Sequence, residues 1–257
     1  MAESRGRKQY LFVIGQLTGR ELKRKYARSY LGIFWSVLNP LLSMAVLSLI
    51  FSRMFRRSIE NYPIYYLTGY LLWQTFTTAT QTAMTTLADN RPLLLRVKLP
   101  LEVFLFTRCC TALVNLGYSL IAYGVMLVVF RVTIQWTILF LPVIVLWLAL
   151  FSLGISFVLA AAYLFFGDVK HLYSVVLTMW MYCSAIFYPA DQLSGPIRSL
   201  VEANPIYLFI RCLRAAVMEG LPPTLWELVV MALWGGGTAL AGWGIFRALR
   251  NPMLVRL

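Results

Sequence analysis

The chain has 257 residues, 60% of them apolar and only 13% charged, with a mean hydropathy of +0.72. A soluble domain carries about 25% charged residues, so this composition excludes an ordinary water-soluble fold. The 23 Lys and Arg against 10 Asp and Glu leave a net charge of +13; in so apolar a chain this excess points to cationic loops beside anionic lipid rather than to nucleic acid.

Residues 1–28 are the most basic stretch, with Arg5, Arg7, Lys8, Arg20, Lys23, Arg24, Lys25 and Arg28. Its opening, MAESRGRKQY, is polar and has no cleavage site, so no removable signal peptide is expected. The apolar QYLFVIGQLTG between the two basic clusters is too short to span and predicts an amphipathic helix lying in the membrane interface. A first span is predicted over 29–52, with Asn39-Pro40 kinking it. The second, 62–86, opens on aromatic residues and closes on threonines. A polar break follows; the third span is predicted over 101–130 and the fourth over 134–166, ending in the tight turn FFGDVKHL. The fifth, 171–189, ends at Tyr188-Pro189. Residues 191–221 carry Asp191, Arg198, Glu202, Arg211, Arg214 and Glu219, too much charge for a full crossing. Split by Asn204-Pro205, they predict a re-entrant or interfacial helix pair. The last span, 224–246, holds Gly235, Gly236, Gly237, Gly242 and Gly244, which permit close helix packing. The predicted fold is thus an all-α integral membrane protein: one transmembrane domain of six helices, an N-terminal interfacial helix and a re-entrant pair before the last span.

Six crossings place both termini on one side. That side collects 15 Lys and Arg and the other 7, so the positive-inside rule places the termini in the cytoplasm. Arg108 falls within a span and counts for neither side. Arg53, Arg56 and Arg57 run against the rule.

Several chemistries lack material. No lysine follows a glycine, so there is no P-loop for nucleotide. There is one histidine, His171, in a turn. The four cysteines, Cys109, Cys110, Cys183 and Cys212, form no CxxC pair and read as small apolar membrane residues. Neither a metal site nor a catalytic residue is expected. The spans almost lack carboxylates, with Glu102 and Glu227 near their ends, whereas ion-coupled carriers keep acids near the midplane. A transporter of this composition would draw its energy from a partner.

Three features carry signal. In DNRPLLLRVKLP, residues 89–100, Asp89 or Asn90 can cap a helix, Pro92 fits its first turn and Pro100 stops it. Its leucines with Arg91, Arg96 and Lys98 suit docking into a partner's groove, and equally a loop with lipid-facing cations. Aromatic residues recur at helical spacing: Tyr62, Tyr66, Tyr70 and Trp73; Tyr173, Trp180 and Phe187 along the fifth span; Tyr26, Tyr30 and Phe34 into the first. Aromatic faces stack on sugars and would line a glycan path; interfacial belts and ordinary packing explain them as well. The threonines at 75, 77, 78, 80, 82, 85 and 86 either line water or return hydrogen bonds to their own helix.

Five blocks, in order, complete the pattern: RELKRKYARSYLGIFWSVLNPLL (20–42), YPIYYLTGYLLWQTF (62–76), the loop ending VKLP (97–100), FFGDVKHL (165–172) with SAIFYP (184–189), and NPIYLFIRCLRAAVMEG (204–220). Together they resemble the permease subunits of ABC-2 type exporters of polysaccharides, including O-antigen, capsule and teichoic acid exporters. The resemblance implies a homodimer in the cytoplasmic (inner) membrane. The path would lie between the two copies, lined by the first and fifth spans with Tyr30, Phe34, Tyr173, Trp180 and Phe187. It implies two separate ABC ATPase subunits that hold ATP and Mg, with no cofactor on this chain. The 89–99 helix would couple to them through Asp89, Arg91, Leu94, Arg96 and Lys98. Residues 10–28 would lie near the substrate entrance, with Arg20, Lys23, Arg24, Lys25 and Arg28 at lipid headgroups, and 191–221 would be re-entrant on the outer side. Ala185 stands where many members have Pro, implying a smaller bend there. The implied function is export of a lipid-linked polysaccharide or teichoic-acid-like polymer. The alternatives are a drug or small-lipid exporter of the same family and, with no catalytic constellation to support it, a membrane enzyme acting on lipid-linked sugars.

Overall fold

Apolar surroundings oblige a chain to satisfy its own backbone polar groups, and the regular elements among the described residues are all helices. The computed structural model describes the backbone of residues 2–27, 30, 32–54, 59, 61–96 and 99–256, and the side chains of those positions apart from 2–8, 26, 53 and 54. The predicted residues Arg28, Arg53, Arg56, Arg57 and Lys98 lie outside the described side chains. The helices are α1 (Ala2–Tyr26), α2 (Phe34–Met54), α3 (Tyr62–Asp89), α4 (Arg91–Arg96), α5 (Glu102–Val129), α6 (Leu141–Phe165), α7 (Val169–Tyr182), α8 (Gly195–Glu202), α9 (Pro205–Arg214), α10 (Leu225–Ala248) and α11 (Arg250–Arg256). A 3-10 turn, Trp136–Phe140, leads into α6, another covers Ala190–Gln192, and a π turn, Ala215–Glu219, prolongs α9.

The helix ends follow local chemistry. Pro63, Pro142, Pro196 and Pro205 sit in the first turns of α3, α6, α8 and α9, where a missing N–H costs nothing. Asn204 Oδ1 accepts from the Ile206 N–H at 2.9 Å, capping α9. Thr224 and Glu227 form a reciprocal capping box on α10: Glu227 Oε2 accepts from Thr224 N–H at 2.8 Å, and Thr224 Oγ1 accepts from Glu227 N–H at 3.3 Å.

Four helical stretches are long and apolar enough to cross a membrane: Phe34–Ser52, Glu102–Val129, Trp136–Phe165 and Leu225–Ala248. At 28 residues α3 is as long as α5 but more polar. It is the central element, packed against α2, α5, α6 and α9, with Ile64, Phe76 and Leu87 fully buried along its length. The fifth predicted span is shorter than expected. Its helix, α7, has 14 residues, about 21 Å against about 30 Å of hydrocarbon. It ends at Tyr182, and Ala185 lies beyond it at φ +46°. The chain thus leaves the helix before Ala185, which takes a left-handed conformation. Phe187 is likewise not on the helix that carries Tyr173 and Trp180, so the sevenfold spacing does not form one face.

The tightest helix pair is α6 with α10. A Cβ on Gly242 would lie 2.2 Å from the Gly154 carbonyl oxygen, and one on Gly154 would lie 2.3 Å from the Thr238 carbonyl oxygen. Gly235 meets the Trp147 carbonyl in the same way. Gly237 and Gly244 face open space. Only part of the predicted small-residue set thus serves this contact. By contrast α2 and α7 are largely uncovered, with Val46, Leu49 and Ile50 exposed on one and Leu172, Val175 and Met179 on the other.

Gly242→Leu should lower the thermal midpoint of the detergent-solubilised chain by the equivalent of roughly 1–3 kcal/mol, through overpacking. Gly244→Leu should change it by less than about 0.5 kcal/mol. Size-exclusion thermostability reads both, and equal effects would contradict the backbone contact.

Candidate functional site

The two ends of α3, about 40 Å apart by helix rise, each carry a polar cluster. At the Tyr62 end the chain leaves α7 and runs without helix through Ser184, Ala185 and Ile186, all fully buried. Five of its carbonyls accept from side chains. The Cys183 carbonyl accepts from Asn204 Nδ2, those of Ala185 and Ile186 from Arg214 Nη1 and Nη2, that of Phe187 from the Tyr62 hydroxyl, and that of Tyr188 from the Tyr65 hydroxyl, each at 2.9 Å. Arg214 Nε donates to the Tyr65 carbonyl at 3.1 Å, and the guanidinium lies 3.5 Å from the Tyr65 ring centroid. Gly69 makes room for it, since a Cβ there would lie 2.6 Å from Arg214 Nη2.

Arg214 is 5% exposed, and no described carboxylate pairs with it. Carbonyl dipoles and an aromatic face hold its charge instead. From the sequence Arg214 reads only as charge, too costly for a crossing and one of the seven cations on the outer side. The signal was its position: it follows Ile210 by four residues, on the apolar face of α9. Tyr62, which its spacing allows as a belt or path residue, and Tyr65 are here donors to the broken segment.

At the Asp89 end, buried Arg108 of α5 donates from Nη1 to Glu21 Oε2 of α1 at 2.6 Å and from Nε to Thr86 Oγ1 of α3 at 3.1 Å. Asp89 Oδ2 lies 3.9 Å from Nη2. One guanidinium therefore ties three helices, and an acid in a basic stretch gave no sign of it. Helix α4 begins two residues after Asp89 and is shorter than the predicted 89–99. Asp89 accepts from Thr85 Oγ1 at 2.8 Å and Asn90 donates to the Thr86 carbonyl at 2.9 Å, so both side chains serve the end of α3. Arg91 and Arg96 are exposed. Leu94, predicted to meet a partner, packs on the protein's own core, and the outward apolar residue is Leu95.

The remaining predicted residues are dispersed. Tyr30 is fully exposed, and Phe34 is exposed at the start of α2. Tyr173 is buried, with its hydroxyl on Thr80 Oγ1 at 2.8 Å. Trp180 donates to Asn204 Oδ1 at 2.9 Å and meets Phe76 edge-on. Phe187 stacks on Tyr66 at 5.9 Å between centroids. Arg20, Lys23, Arg24 and Lys25 are exposed along the last turns of α1. In the threonine run, Thr75, Thr80 and Thr82 return hydrogen bonds to the carbonyls of Leu71, Phe76 and Thr78, four residues back. Among the described residues no His, Cys, Asp or Glu cluster could hold a metal, and the four cysteines are free thiols.

The family model described as ABC-2 type transporter matches residues 13–218. The O-antigen export system permease protein RfbA of Myxococcus xanthus is 31% identical over 245 residues, covering 95% of this chain and 94% of that one. A protein of the same name from Klebsiella pneumoniae is 26% identical, covering 94% and 93%. The polysialic acid transport protein KpsM of Escherichia coli is 21% identical, covering 91% and 92%.

Arg214→Lys keeps the charge but cannot reach three carbonyls at once. It should destabilise the detergent-solubilised chain by about 3 kcal/mol, the scale of charge-assisted hydrogen bonds lost from a buried site. An unchanged thermal midpoint would show that the segment after α7 does not need the clamp.

Proposed function

Because the chain belongs to the ABC-2 type transporter family, we propose that it is the permease subunit of an ATP-driven exporter that carries a lipid-linked polysaccharide across the cytoplasmic membrane. The observation that carries this reading is similarity along nearly the whole chain to an O-antigen export permease. The relatives' names favour a polysaccharide over a teichoic-acid-like polymer or a drug. The absence of a P-loop in the sequence supports nucleotide hydrolysis on a separate ATPase, which would hold ATP and Mg.

In this reading the whole chain is one transmembrane domain. The four apolar stretches, α3, and α7 with its non-helical continuation make six crossings, and α8 with α9 forms the re-entrant pair. The Lys and Arg count supports cytoplasmic termini. The uncovered apolar faces of α2 and α7 suit a second copy of the chain. The glycan path would then run between copies, with Tyr30 and Phe34 at its start and Tyr173, Trp180 and Phe187 behind its wall. The exposed cations Arg20, Lys23, Arg24 and Lys25, with Arg28, would meet lipid headgroups and the phosphate link of the substrate at the entrance. Helix α4 would dock on the ATPase through Arg91, Leu95 and Arg96, together with Lys98 two residues beyond it in the sequence. Asp89 and Leu94 would serve from behind, fixing α4 to the bundle. Closure of the ATPase pair on ATP would push α4 and drive a rigid-body movement of the protomers.

Arg96→Glu with Lys98→Glu reverses the charge of that docking face. Surface glycan measured in cells complemented with this variant should fall about tenfold or more, at an unchanged level of permease in the membrane. Undiminished export would contradict the assignment of α4.

A further inference from the structure

A set of uncharged polar residues in the apolar helices takes no part in the clusters described above, and the fold gathers them. Ser36 and Asn39 of α2, Gln74 of α3, and Asn115 and Ser119 of α5 line one crevice of about 80 Å³, with Lys25 of α1 at its rim. Each pair lies three or four residues apart, on a single helix face. Polar side chains among spanning helices are costly and mark ligand or ion pathways. Most of this set is engaged: Lys25 Nζ donates to Asn115 Oδ1 at 3.4 Å, Ser119 Oγ to the Ser36 carbonyl at 2.9 Å, and Asn115 Nδ2 to the Thr111 carbonyl at 2.8 Å. Gln74 differs. Its Oε1 is buried and has no hydrogen-bond partner. A buried acceptor left unmade costs more than a typical hydrogen bond contributes, so the crevice has an acceptor open to a donor that the described residues do not supply.

We infer that this crevice binds a phosphate ester that carries a polyol, with the phosphate toward the Lys25 ammonium and a hydroxyl donated to Gln74 Oε1. The cation at the rim fits an anionic link, and the uncharged amides and hydroxyls inside fit a group that both donates and accepts. The volume exceeds that of a single water, which needs only about 10–15 Å³ by the same measure. Two sources share this chemistry: the phosphate-linked sugar end of the exported lipid carrier, and the glycerol headgroup of an anionic phospholipid. The first source rests on the export reading above; the second does not.

Native mass spectrometry of the purified chain in detergent, with no ATPase present, separates the outcomes. The probes are a short-chain polyprenyl-phosphate hexose, phosphatidylglycerol, and phosphatidylethanolamine as a phosphate without a polyol. A polyol phosphate should add saturably, one per chain, and phosphatidylethanolamine about tenfold more weakly. Gln74→Leu and Lys25→Gln should each weaken the polyol phosphate about tenfold. Saturation by the hexose assigns the crevice to the exported substrate, and saturation by phosphatidylglycerol alone assigns it to resident lipid. No preference over phosphatidylethanolamine, or binding untouched by the substitutions, overturns the site and leaves it to water. Lys25 lies on an exposed turn, so Lys25→Gln decides alone if Gln74→Leu fails to fold. The readout involves no transport, so loss of the site would leave the export reading standing, and failed export would leave the site standing.

Discussion

A carbonyl without a donor is the constraint on which this structure turns. In water a broken helix borrows hydrogen bonds from solvent, whereas in hydrocarbon it must find them in the protein. The chain breaks after α7 at Tyr182, and the buried segment that follows is affordable because Asn204, Arg214, Tyr62 and Tyr65 reach its carbonyls. This requirement fixes much else at that end. It sets α9 against α3 so that Arg214 can reach across, and it places a glycine at position 69. It also turns two tyrosines of α3 toward the segment rather than toward lipid.

The opposite end of α3 meets the same constraint with charge. Arg108 lies within an apolar helix, and Glu21 neutralises it from α1 while Thr86 takes a further donor. Removal of either charge would strand the other in a poorly hydrated site, a far larger penalty than the pair's own contribution. Asp89 stands beside this pair and α4 follows it directly, so three side chains, Asp89, Arg108 and Glu21, link the start of α4 to α5 and α1. Helix α3, buried along most of its length, joins the two ends as one rigid element. In the proposed exporter, that is the route by which an event at the ATPase would reach the far side.

The helices were largely legible in the sequence, because an apolar run of about 20 residues has few other uses and because Pro63, Asn204 with Pro205, and Thr224 with Glu227 announce helix starts locally. The polar clusters were not. Arg214 and Tyr65 are 149 residues apart, and Arg108 and Glu21 are 87 apart, so nothing at either position names its partner. The end of α7 was misjudged because the sevenfold aromatic spacing ran on to Phe187 past a break that only a left-handed Ala185 reveals. The glycines of α10 were recognised as packing residues, yet which of them meet α6 depends on helix rotation, which five small residues close together leave undetermined. In α4 the charges were legible as an outward feature but the leucines were not, because their sorting into Leu94 inward and Leu95 outward depends on how the short helix seats on the core.

The central claim is that this chain passes a carrier-linked glycan through the membrane at the expense of ATP hydrolysed by a partner. The most direct measurement reconstitutes the purified chain with its ATPase in proteoliposomes, the ATPase facing outward, with a carrier-linked glycan in the outer leaflet and a glycosidase in the medium. The account predicts that the glycan becomes protected from the enzyme only when ATP and the ATPase are both present. Protection that is independent of ATP, or no protection in a complex that hydrolyses ATP, would contradict it.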